Sequence, residues 1–311
     1  MKEERKGVSR RRFIRQAVSG SLVAMGGLSV VRKAFGKERR GQEGGFGAAS
    51  IKRKTGRMKL GLVTYNLAKD WDLDTIIKRC EETGFEGVEL RSTHAHKVES
   101  NLGSEERKAV RVKFEGSKVA LVSLGTAFEY HSPDPAVVRR NIDGTKEYLE
   151  LARDLGCQGI KVRPNGLPQE VPYEKTLRQI GESLRECGKV AEKVGVELWM
   201  EVHGRGTSHI PYIRKILDVA GHPFVKVCWN SNPSDIVDGS VKQNFSLVKE
   251  KIGSVHMRDL YDRGYPYMEL FGLLKKTGFG GYCFAEIQGS ADPVRVMRYY
   301  KGMWELMVSA A

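Results

Sequence analysis

Gly195-Val196-Glu197-Leu198-Trp199-Met200-Glu201-Val202-His203 has three parts: a glycine that closes a helix, an apolar run suited to a buried strand, and polar groups where the run ends. The phrase recurs. Gly84, Gly156, Gly253 and Gly278 each stand just before another short apolar run, where a tight helix-to-strand turn favours a left-handed residue. On this basis strands are predicted at 59–65, 87–91, 120–125, 159–163, 196–203, 225–230, 254–259 and 282–287. Between them the apolar residues fall at helical spacing, as in Leu73, Ile76, Ile77 and Cys80. Eight such alternations predict an α/β protein, a (β/α)8 barrel in a single domain. An open doubly wound sheet would favour a glycine-rich phosphate loop after the first strand, and this strand runs instead into Tyr65-Asn66-Leu67-Ala68.

The charge is unevenly spread. The chain has a formal net charge of +14, but residues 1–59 hold 17 Lys and Arg against four Asp and Glu, while the other 252 residues hold 35 against 34. A near-neutral barrel has no basic field for nucleic acid, so no nucleic-acid partner is expected. The five cysteines are far apart, odd in number and include no Cys-x-x-Cys pair, which argues against a disulfide framework and a zinc-finger site. Ser9-Arg10-Arg11-Arg12-Phe13-Ile14-Arg15, followed by a weakly apolar run, resembles a twin-arginine export signal. The expected organisation is a signal peptide at 1–36, a flexible Gly-, Lys- and Arg-rich linker at 37–57 and the barrel at 58–311. Such a leader implies the twin-arginine export machinery as a partner and a periplasmic location, with the signal cleaved or kept as an anchor. No span is expected after it, because no later segment has a sufficiently long apolar run.

In a barrel of this kind the carboxyl ends of the strands converge on one mouth. Polar groups interrupt the apolar runs there: Glu201 and His203 on the fifth strand, Asn230 on the sixth, His256 and Arg258 on the seventh, Glu286 on the eighth. Buried ionised groups are costly unless they are paired or hold a cation. Two carboxylates, an imidazole and an amide oxygen (Glu201, Glu286, His256, Asn230) suit one divalent ion such as Mn2+, Mg2+ or Co2+, and suit Zn2+ less well in the absence of thiolates. Glu89, on the second strand, is expected to face the barrel interior and contact substrate or pair with Arg91 or Arg163. His94, His96 and His131 are read as solvent-facing or loosely near substrate, and Asn232 and Asp235 as further residues able to reach the mouth.

From Met58 onward the chain resembles the xylose isomerase-like superfamily of sugar isomerases and epimerases. The resemblance is carried by Phe85-Glu86-Gly87-Val88-Glu89-Leu90, Glu201-Val202-His203, Val255-His256-Met257-Arg258-Asp259 and Gly280-Gly281-Tyr282 leading to Glu286. It implies one divalent metal held by Glu201, Asn230, His256 and Glu286, with Asn230 standing where the family usually has Asp. It also implies Glu201 and Glu286 as the acid/base pair, His203 and Arg258 as substrate contacts, and a homodimer as a possible assembly. A free sugar or sugar derivative is expected as substrate in preference to a phosphorylated one, because the leader implies an extracytoplasmic compartment and no phosphate-cradling glycine loop stands out. The reaction expected is isomerisation or epimerisation by proton abstraction beside a carbonyl, through an enediolate. A lyase or dehydratase acting on a keto-sugar or keto-glycoside would use the same residues, and a non-catalytic sugar-binding barrel fits the missing Asp. The endonuclease IV branch is disfavoured because Asp262-Arg263-Gly264 replaces its metal-binding Asp-x-His.

Overall fold

The computed structural model describes residues 56–311. The expected signal peptide, and nearly all of the linker, lie outside the described residues. Eight parallel strands close in sequence order: β1 Lys59–Val63, β2 Gly87–Arg91, β3 Ala120–Glu129, β4 Gly159–Arg163, β5 Glu197–Glu201, β6 Val225–Asn230, β7 Ile252–Met257 and β8 Tyr282–Ala285, with β8 pairing back onto β1. Helices follow each strand, so the predicted (β/α)8 barrel is the fold. Among the described residues no helix is long and apolar enough to cross a membrane.

The two-residue period of the strands explains how the interior is filled. Leu198 and Met200, Val255 and Met257, and Cys283 and Ala285 turn outward into the large core beneath the helices. Trp199, Cys228, Tyr282 and Phe284 belong to a separate apolar cluster inside the barrel. Residues two positions further along these strands, Glu201, Asn230 and Glu286, therefore lie toward the carboxyl end of the same inner face.

Large rings on the inner face need small residues opposite. A Cβ on Gly61 would fall 2.4 Å from Phe284, one on Gly87 2.5 Å from Tyr282, and one on Gly159 2.5 Å from Trp199. We expect Gly159→Ala to overpack this floor and to lower stability by about 1–3 kcal/mol in a denaturant titration. A change below about 0.5 kcal/mol would show that the indole moves freely.

The glycine reading holds at Gly84, Gly156, Gly195 and Gly278, all in the left-handed region. It fails at Gly253, which lies inside β7 rather than at a helix end. Its role is space: a Cβ there would sit 2.5 Å from the Trp199 indole nitrogen. The tail, including Met297 and Trp304, forms the last barrel helix, Pro293–Ala310.

Candidate active site

A cavity of about 510 Å³ opens at the carboxyl ends of the strands, and Glu201, His203, Asn230, Arg258 and Glu286 all line it. His256 stands behind them, fully buried, and is absent from the cavity wall. Its Nδ1 is 3.7 Å from Glu201 Oε1 and 3.6 Å from Glu286 Oε2. One donor atom from each of Glu201, His256 and Glu286 lies within 4.8 Å of the other two. Two ligand atoms, each about 2.1 Å from a common ion, can be at most about 4.2 Å apart, so a small inward shift places all three around one ion. The buried Asn230 Oδ1 and His256 Nδ1 also have no hydrogen-bond partner. These unpartnered lone-pair atoms and the carboxylate oxygens fit a divalent cation.

The electrostatics of the ion-free cluster favour a positive charge at its centre. Burial pushes the Glu201 carboxyl up, but Lys161 and then His256 outweigh it and hold the group well below the usual range. Burial likewise opposes protonation of His256, while the adjoining Cys228, Glu89 and Glu201 raise its pKa well above the ordinary value. A divalent ion can take over the charge that a proton supplies to this cluster.

Glu89 does face the barrel interior, yet it stops below the cavity. It is fully buried, accepts a hydrogen bond from Ser123 Oγ at 2.9 Å, and sits 3.3 Å from His256 Nε2 without hydrogen-bond alignment. It lies off the cavity wall and pairs with neither Arg91 nor Arg163; its charge beside His256 raises the pKa of that ring. Gly125 makes this possible, since a Cβ there would come 2.6 Å from Glu89 Oε1.

His203 lies just beyond β5, with Nδ1 2.7 Å from Asn165 Oδ1. Asn165 donates its amide hydrogen to Glu129, so its oxygen faces His203, and the imidazole must donate from Nδ1 and keep Nε2 as an acceptor. Burial lowers the His203 pKa, consistent with a neutral ring. Arg258 Nη2 donates to Asn232 Oδ1 at 3.2 Å. Asn232 and Asp235 do not reach the cavity. Asn232 Nδ2 donates to the Val202 carbonyl, and Asp235 accepts from Tyr265 Oη and the Asn232 backbone. His96 is buried, between the Arg91 carbonyl and the Val98 amide, so the solvent reading was wrong for it. His94 is half-buried against Thr64, and His131 half-buried near Glu129, both off the cavity wall.

Sequence reasoning missed Lys161. Its ammonium, 2 % exposed, lies 2.7 Å from Glu201 Oε2, and the residue lines the cavity. Asn230 Nδ2 donates to the other oxygen, Glu201 Oε1, at 3.1 Å. Both Glu201 oxygens are thus engaged by neighbours, whereas Glu286 has only His256 within ion-pairing distance among the described residues. Asn230 supplies no charge where an aspartate would. We expect Asn230→Asp to tighten divalent-ion binding on the order of tenfold, as ligand charge count sets affinity in oxygen-rich sites. Mn2+ titration by calorimetry checks this, and unchanged affinity would remove Asn230 from the ligand set.

No curated protein matches the sequence. Among solved structures, the 3-keto-D-glucoside 4-epimerase YcjR from E. coli aligns with a TM-score of 0.69 at 15% identity, covering 80% of this chain and all of that one. An L-ribulose 3-epimerase aligns at 0.68 and 16% identity over 82% of this chain and 95% of the other. The 3-DHS dehydratase AsbF from Bacillus anthracis aligns at 0.63 and 15% over 80% and 98%. Identities this low establish the shared fold and nothing finer. The model of the xylose isomerase-like TIM barrel family matches residues 77–301, most of the barrel, and the chain belongs to that family.

Proposed function

We propose that this protein is a divalent-metal-dependent isomerase or epimerase of a sugar or sugar derivative, abstracting a proton beside a carbonyl. The observation that carries the reading is the meeting of Glu201, His256 and Glu286 around one point, with both carboxylates on the wall of a substrate-sized cavity. The epimerases among the structural neighbours agree with it. Glu201, Asn230, His256 and Glu286 would hold the ion, which when bound would supply Lewis-acid polarisation of the substrate carbonyl.

The residues divide the remaining work. Glu286 takes the proton, because its carboxylate is at the cavity and lacks the lysine that engages Glu201, and in an isomerisation it also returns it. Glu201 is the second member of the pair, delivering a proton to the other face in an epimerisation, and Lys161 lowers its basicity. His203, with Nε2 free to accept, orients a hydroxyl, and Arg258 holds a substrate oxygen at the rim.

This inequality between the carboxylates also supports a second reading. A one-base reaction, in which Glu286 abstracts the proton and a β-substituent leaves with the Lys161 ammonium nearby, makes the protein a lyase on a keto-sugar or keto-glycoside. Incubation with ketoses, inososes and 3-keto-glycosides in deuterated water with Mn2+ separates the two. Deuterium in recovered isomers supports the isomerase, loss of the β-substituent supports the lyase, and neither outcome across the panel leaves a sugar-binding barrel.

A further inference from the structure

Four cationic side chains line the cavity: Arg91, Lys161, Arg163 and Arg258. Two are already matched. Lys161 is paired with Glu201, and Arg163 Nη2 lies 2.6 Å from Glu129 Oε1. Arg91 and Arg258 have no carboxylate at ion-pairing distance among the described residues, although Asp259 shares the rim. The Arg91 guanidinium lies over the Tyr65 ring, 5.4 Å from its centre, and Arg258 spends one N–H on Asn232.

Both arginines stand on pinned backbone. The Arg91 amide donates to Thr64 Oγ1 at 2.9 Å, and its carbonyl accepts from the buried His96 ring at 2.7 Å. The Arg258 amide donates to Tyr267 Oη at 3.0 Å, and its carbonyl accepts from Tyr300 Oη at 2.9 Å. These fixed attachments put two unpaired guanidinium groups on one cavity, where planar forks of N–H donors recognise carboxylate and phosphate oxygens. A bound divalent ion would add further positive charge to the same wall.

We propose that the sugar taken here is anionic, with its acidic group held at the mouth by Arg91 and Arg258 while the carbonyl end faces Glu286. The claim rests on the sugar-enzyme reading and narrows it to one substrate class. A hexuronate carboxylate and a hexose phosphate ester are the two sources of that group.

The test is calorimetric titration of the purified Mn2+-loaded protein with D-glucuronate, D-glucose 6-phosphate and D-glucose in parallel. At least one acidic sugar should bind about tenfold or more tightly than glucose, in keeping with charge-assisted pairing, and the preference should shrink as NaCl is raised. Whichever acid binds tighter identifies the source. Arg91→Gln should reduce the preference to within about threefold, and Arg91→Lys should retain part of it. The salt series on the unaltered protein keeps the idea testable if neither variant folds. Equal or tighter binding of glucose, or a preference insensitive to salt, overturns the proposal. Deuterium uptake into neutral sugars with no preference for acids would sink this inference alone. Selective acid binding with no turnover of any acidic or neutral keto-sugar would instead leave this inference standing and remove the catalytic reading.

Discussion

Glu286→Gln is expected to lower turnover by about a thousandfold or more, the upper range for loss of a positioned proton-transfer group combined with a weakened ion site. The carboxylate serves both purposes: it borders the cavity, and it lies 3.6 Å from His256 Nδ1 within the cluster that would hold the ion. The amide keeps the shape and one oxygen ligand but gives up the charge and the basicity. Measuring deuterium exchange at saturating Mn2+ separates the two losses. If the exchange rate is restored to within about tenfold once the ion is saturating, Glu286 is a ligand only, and the base must be sought elsewhere on the wall. Glu201→Gln should cost more in ion affinity than in proton transfer, because Lys161 already suppresses the basicity of that carboxylate.

The residues that were legible in the sequence share one property: each is polar, stands at the end of an apolar strand run and has the inward parity. Glu201, Asn230, His256 and Glu286 all met that description, and the barrel brings them together. Lys161 met it too. In Gly159-Ile160-Lys161-Val162-Arg163 the alternation places Lys161 inward as surely as Trp199 precedes Glu201 on the next strand. A strand lysine near a rim reads as a solvated side chain, because its long stem can carry the ammonium to water. Only the pairing of β4 with β5 shows that Glu201 is there to hold it. Glu89 and His96 were misjudged for a related reason: depth along the barrel axis depends on stagger between strands and on loop paths, neither of which is written in a single strand's pattern. Gly253 is the opposite case, since its reason for being glycine is an indole from a strand more than fifty residues earlier.

Lys161→Met is expected to produce opposite changes in two quantities. Removing one member of a buried ion pair leaves its partner charged and poorly compensated, a loss of about 3–5 kcal/mol in comparable cases. Here that loss should fall on the ion-free protein, where the Lys161 ammonium is 2.7 Å from Glu201 Oε2. Ion binding should move the other way. A fixed positive charge against Glu201 repels a divalent cation and competes for the same carboxylate, so its removal should tighten Mn2+ binding by at least about tenfold, one pair of close charges being worth a few kcal/mol even in a well-screened interior. The two effects are linked: added Mn2+ should restore most of the lost thermal stability in the variant and raise the parent's Tm less. Turnover should nevertheless fall, because Glu201 in the variant binds the ion without the ammonium that fixes its second oxygen. Thermal melts with and without Mn2+, run beside calorimetric titration, read both signs at once. A variant that binds Mn2+ no more tightly than the parent would mean that Lys161 does not oppose the ion, and that the charge at the centre of this cluster is set by other groups.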